Sequence, residues 1–166
     1  MPSFPAGVLL ARLAACGRPV AKEAARRLDV REAPDFGPVP LLCRQAAYRR
    51  TSDDALLPHG RDGVLAVCGF ALSLLEEAEQ QTLFPRLCAE AGHTFFLDFK
   101  TPERNLEWPS ALLFAPLRHA VSRCVLETQG GMEGVLYRER PRFSVLSRHT
   151  LLGGALCGIL VRNSFI

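Results

Sequence analysis

The chain is 166 residues long, with 48% hydrophobic residues, 22% charged residues and a net charge of +3. That is the composition of one globular domain, able to bury roughly 70% of the surface its unfolded chain exposes. It argues against a disordered or low-complexity chain, no stretch reaches the ~18 apolar residues of a membrane span, and no basic run interleaves with aromatics as in a nucleic-acid binder.

Residues 8–15 are predicted to form a helix, with Gly17 as its stop. The surrounding start is apolar and mildly basic, without the charged region and long apolar core of a secretion signal, so no leader is expected. Residues 21–28 form a second short helix, and Asp35-Phe36-Gly37-Pro38 is a turn. Residues 39–43 are an apolar run and read as a strand, which Pro40 restricts to an edge or a strand start. A polar connection over 45–50 and a loop over 51–61 follow.

The chain is organised around residues 62–105. Val64 to Cys68 is a short apolar run ending at Gly69, as in a parallel strand buried on both faces. Ser73 is placed to cap a helix with Glu76 and Glu77 in its first turn, where carboxylates suit the dipole. Gly92 ends that helix, and residues 93–99 are a second strand. Strand, helix and strand make a βαβ unit with ligands expected beyond the carboxyl ends of the strands, at Cys68-Gly69-Phe70 and Asp98-Phe99-Lys100.

Residues 101–109 read as a loop containing Trp108, and Ser110 as the cap of a helix over 111–126, kinked near Pro116. Gly130-Gly131 breaks the chain before a short helix over 132–140, in which Leu136 and Tyr137 are available for packing. Residues 143–151 alternate and 155–161 are apolar; the Gly153-Gly154 turn between them makes the two strands antiparallel.

Six cysteines, at 16, 43, 68, 88, 124 and 157, show no CxxC spacing, and His59, His93, His119 and His149 add no ligand pattern. No metal site is expected. Most of these thiols lie in apolar segments, where they act as small hydrophobes, which suits a reducing cytosol and a cytoplasmic protein.

Asp62-Gly63-Val64-Leu65, Gly92-His93-Thr94-Phe95-Phe96-Leu97-Asp98 and the closing hairpin over 142–162 together resemble the C-terminal half of class I S-adenosylmethionine-dependent methyltransferases. The resemblance covers 62–166, with 1–61 as a divergent N-terminal part of the same domain. It implies an α/β, Rossmann-like, mostly parallel sheet, N-terminally incomplete, whose last strand is antiparallel. It also implies methyl transfer from S-adenosylmethionine to a small or apolar acceptor. The cofactor contacts it implies are Gln45 and Ala46 at the end of the third strand and Cys68, Gly69 and Phe70 at the end of the fourth. The substrate contacts it implies are Asp98, Lys100 and Trp108, and the helix over 111–126 stands where the family places its lid.

The departure from the family is the Gly-rich loop that lets backbone approach the cofactor: this chain has no GxG anywhere. A second reading therefore stands beside the enzyme, namely a catalytically inactive remnant or an interaction module that dimerises through a sheet edge. Asp98 and Lys100 with Glu103 and Arg104 equally suit a surface ion network. Trp108 equally suits an anchor for its loop, and Leu112, Leu113, Phe114 and Leu117 an ordinary buried stripe. The expected partners are a small-molecule substrate, with no nucleic acid and no membrane. With the first two family strands missing, Leu41 to Cys43 are expected beside Val64 to Val67, the helix over 8–16 across that junction, and the pocket shallow.

Overall fold

A computed structural model of the chain describes residues 6–32, 60–121 and 130–164. The strands are β1 (Arg31–Glu32), β2 (Val64–Gly69), β3 (His93–Phe99), β4 (Phe143–Leu151) and β5 (Leu156–Asn163). The helices are α1 (Ala6–Ala15), α2 (Arg18–Leu28), the single turn α3 (Ala71–Leu74), α4 (Glu77–Glu90), α5 (Trp108–Val121) and α6 (Gly131–Arg138). No described helix is long and apolar enough to cross a membrane.

The sheet order is β1-β2-β3-β5-β4. Strands β2 and β3 pair in parallel from Leu65 opposite His93 to Gly69 opposite Leu97. Strand β5 is antiparallel to both its neighbours, β3 and β4. The sheet is thus mixed rather than mostly parallel: four long strands carry one parallel and two antiparallel pairs, and the two-residue β1 adds a short parallel contact. The reason is the tight turn after β4, which forces reversal, whereas the α4 crossover permits β2 and β3 to run together.

Val64 to Gly69 are all buried, as are Thr94 to Phe99, because helices cover both faces of these central strands. On one face, Ala66, Cys68, Phe96 and Ile159 pack with Leu83, Phe84 and Leu87 of α4 and Leu136 of α6. There Phe84, Phe96 and Phe143 meet edge to face, with centroids 5.3–6.4 Å apart. On the other, Leu65, Val67, Phe95 and Leu97 join Leu10 and Leu13 of α1 and Ala21, Ala24 and Ala25 of α2.

Several expectations change. On the side of β2 away from β3, Arg31–Glu32 pairs with Val64 and Leu65, a contact the sequence did not suggest; Leu41 to Cys43, expected beside Val64 to Val67, lie outside the described residues. The strand expected over 39–43 lies outside the described residues. Ser73 caps no long helix: it lies inside α3, and Glu76 is the N-cap of α4, its N–H donating to Glu79 Oε2 at 3.1 Å. A carboxylate three residues on closes that cap reciprocally, which freed Ser73 for another bond. Trp108 is not in a loop but opens α5, with Pro109 in the first turn, where its missing N–H costs nothing. Tyr137 is exposed while Leu136 is buried, since α6 turns one side only to the sheet.

Candidate functional site

The carboxyl ends of β2 and β3 meet the β4–β5 turn at one end of the sheet. Beyond Gly69 the chain turns sharply: Phe70 adopts a left-handed conformation (φ 58°), uncommon for a bulky residue and costing roughly 1 kcal/mol. Its N–H still donates to Leu97 O at 2.6 Å, so backbone pairing to β3 outlasts the strand. Its ring is buried against Phe99, centroids 4.9 Å apart.

That turn is tied down by Asp98, a fully buried carboxylate. One oxygen accepts the Ser73 N–H at 3.0 Å; the other accepts the Ser73 hydroxyl in a short bond and the Phe99 N–H at 2.8 Å. Burial pushes the Asp98 carboxyl up to about 6, and the bonds from Ser73 and Phe99 hold back part of that rise. Gln80, from α4, donates to Leu72 O at 2.8 Å and Leu75 O at 3.1 Å, fixing the other side of the turn.

Lys100, next along the chain, is also buried. Its N–H reaches Ala155 O at 3.0 Å, and its ammonium meets Glu107 Oε1 at 2.6 Å. Glu107 Oε2 accepts the Glu103 N–H at 2.9 Å, so the loop after β3 closes on its own carboxylate. The bond from Lys100 pulls the Glu107 carboxyl down to about 2. Gly154 (φ 100°) lies against this pair: a Cβ there would come within 2.5 Å of Glu107 Cγ, so both backbone and space require glycine.

Arg148 of β4 completes the rim, with Nη2 2.7 Å from Glu103 Oε1 and Nη1 2.7 Å from Glu133 Oε1 of α6. Burial raises the Cys157 thiol, an effect opposed by its bond from Arg148. These groups line a small cavity of about 50 Å³ between Lys100, Glu103, Gly131, Arg148 and Cys157. A cavity of that size has room for water but not for an organic ligand.

The expected site residues therefore separate. Gln45 and Ala46 lie outside the described residues. Cys68 packs into one apolar cluster and Phe70 into the other, on opposite faces of the sheet. Asp98 and Lys100 are neighbours in sequence but serve different partners, Ser73 and Glu107, and Trp108 is half exposed on α5. Of the lid residues, Phe114 and Leu117 pack against the sheet, whereas Leu112 and Leu113 face out. Sequence reasoning missed the roles of Ser73, Arg148 and Glu133, whose partners lie 15 to 45 residues away, and of Glu107, whose partners Lys100 and Glu103 lie within its own loop. Only the alternation of β4 hinted that Arg148 would leave the apolar face.

Neither a scan of protein-family models nor a search of curated proteins finds a match to this chain.

Proposed function

We propose that the chain is a methyltransferase-fold domain of the S-adenosylmethionine-dependent class, acting on a small or apolar acceptor. The observation that supports this is the strand arrangement. A parallel β2–β3 pair joined through α4 is followed by a hairpin whose last strand is antiparallel to both neighbours, as the resemblance implies. The Rossmann-like assignment belongs to the same proposal.

The described residues do not by themselves fit the cofactor. At the carboxyl ends, the Cys68 and Phe70 side chains are packed away, and Asp98 and Lys100 are bonded within the protein. The buried side-chain atoms lacking a partner, His93 Nδ1 and Asn163 Oδ1, lie at the opposite end of the sheet. In this class the donor is already activated, so positioning the acceptor carries much of the rate.

The same commitments, with the absence of GxG, favour a second reading: a methyltransferase-like domain that serves as an interaction module. Calorimetric titration of the full chain with S-adenosylmethionine decides between them. Saturable micromolar binding supports the enzyme; no heat at millimolar cofactor rejects it and leaves the module.

A further inference from the structure

Strand β4 is the last strand at one edge of the sheet, and among the described residues nothing pairs with its outer side. From Ser144 to Leu151 every residue is at least partly exposed, with Val145 at 57% and Leu146 at 47%. Alternate residues therefore turn backbone N–H and C=O groups outward without a ladder partner, and another extended segment is what matches their spacing. Native edges are commonly blunted by lysine, by proline or by a short strand. Strand β4 is nine residues long and contains neither of those residues. Its one arginine, Arg148, is drawn back onto Glu103 and Glu133.

A groove of about 670 Å³ runs beside the first part of this edge, between β4 and α6. Its walls are mainly apolar, with Leu136 and Tyr137 from α6 and Phe143 and Val145 from β4. Gly134, in mid-helix, adds no side chain to the groove. An edge beside such a groove suits a peptide strand: the main chain supplies hydrogen bonds and alternate side chains enter the groove. The bulge between Val145 and Ser147 interrupts the pleat. The regular edge next to the groove is therefore short, and fits a few residues rather than a whole second strand.

Charge narrows the guest further. Arg140 lines the groove at the start of β4, its guanidinium 5.7 Å from the centroid of the Tyr137 ring. Neither Arg140 nor Arg138 makes an ion pair with a described residue, whereas Glu139 between them is held by Arg142. A guest antiparallel to β4 ends at this basic corner, so an acidic residue near its C-terminal end is matched there. A second copy of the chain offers no such match. Strand β4 contains no acid, and reversing it brings its own Arg148 toward the same corner.

We propose that β4 and the groove beside it bind an extended segment of a partner protein, antiparallel to β4, with apolar residues at alternate positions followed by an acidic one. The proposal rests on the interaction-module reading, to which it gives a site and a partner.

The probe is a fluorescein-labelled, C-terminally amidated peptide, Thr-Val-Thr-Val-Thr-Glu, whose valines and glutamate share one face when extended. Titration with the full chain, read by anisotropy, is expected to show saturable binding. Glutamine in place of the peptide's glutamate weakens it roughly fivefold, as does Arg140→Gln, and the two together add little because each removes the same ion pair. N-methylation at alternate peptide residues abolishes binding in one phase of the alternation and spares it in the other. Val145→Lys abolishes binding at an unchanged melting temperature, since the position is exposed. Gly134→Leu fills the groove to the same effect, and leucine is the better helix former. Binding that survives N-methylation in both phases, or that ignores the glutamate, overturns the proposal. So does a concentration-dependent dimer that Val145→Lys dissolves and the peptide leaves intact, which assigns the edge to a second copy. Calorimetry with S-adenosylmethionine on the same sample separates the failures. Binding of neither peptide nor cofactor overturns this site and leaves the module reading, whereas cofactor binding without peptide binding overturns both.

Discussion

Strand β3 and the outer face of α5 are comparably apolar, yet Phe95, Phe96 and Leu97 are buried while Leu106, Leu112 and Leu113 are exposed. The difference is topological. Strand β3 lies between β2 and β5, with helices on both faces of the sheet, so each alternate side chain finds an apolar layer. Helix α5 lies on one face with nothing of the described fold beyond it. Apolar character drives a segment toward cover, but the arrangement of neighbours decides whether the domain itself supplies it.

The largest expected effect comes from forcing charge into the covered region. Leu65 is fully buried in β2, and Leu65→Asp places an unpaired carboxylate there, costing several kcal/mol, most of a small domain's stability. Loss of the cooperative melting transition is expected; an unchanged transition would break the comparison at its base.

Asp98 is the charged exception inside β3, and it sharpens the contrast through pH. Its folded value of about 6 lies above the ordinary 3.8, so folding favours the protonated form. The stability it contributes is complete below about pH 4 and is lost as pH rises through 6, by about 3 kcal/mol at most. His93 titrates the other way: burial lowers it, so its contribution is present above 6.5 and is lost as pH falls. The difference between the wild type and Asp98→Asn isolates the carboxylate. Chemical unfolding of both from pH 4 to 7 should show the wild type losing ground to the variant as pH rises; parallel curves would refute the buried titration. Glu107 has the opposite sign and another window. Pulled down to about 2, it contributes above about pH 4.5 and loses that contribution as pH falls toward 2.

A smaller effect is expected from overfilling the same region. Gly158 pairs with Leu97 on one side, and a Cβ there would lie 2.5 Å from the Phe95 ring. Gly158→Ala should lower the unfolding free energy by about 1–3 kcal/mol, because a packed interior yields little. A neutral result would show that the Phe95 ring has room to move.

The smallest effect belongs to α5. Leu113→Asp, at a largely exposed position, should change the unfolding free energy by no more than about 0.5 kcal/mol. A loss of several kcal/mol would mean that this face is covered in the monomer, and the contrast with β3 would disappear.

Much of the fold is legible in the residues themselves. Short apolar runs bounded by glycine place β2 and β3, because a strand buried on both faces leaves no polar alternation to confuse it. Gly153-Gly154 places the turn of the hairpin, since φ of 62° and 100° suits residues without a Cβ. Helix starts are less legible. Glu76 and Ser73 compete as caps in the sequence, and the loser was decided by Asp98, 25 residues away.

The sequence by itself thus determined the four long strands β2 to β5, the helix that joins β2 to β3 and where the chain reverses between β4 and β5. Those properties follow from side-chain periodicity and backbone freedom within a few residues. Only the tertiary structure decided what the polar residues do. Asp98 bonds to Ser73 across the β2–β3 boundary, and Arg148 reaches Glu103 over 45 residues of chain and Glu133 on α6. It also decided that Arg31–Glu32 pairs with β2 and that Leu112 and Leu113 face outward. Hydrogen bonds and ion pairs form wherever the completed fold brings donors and acceptors together, and no local pattern records those distances.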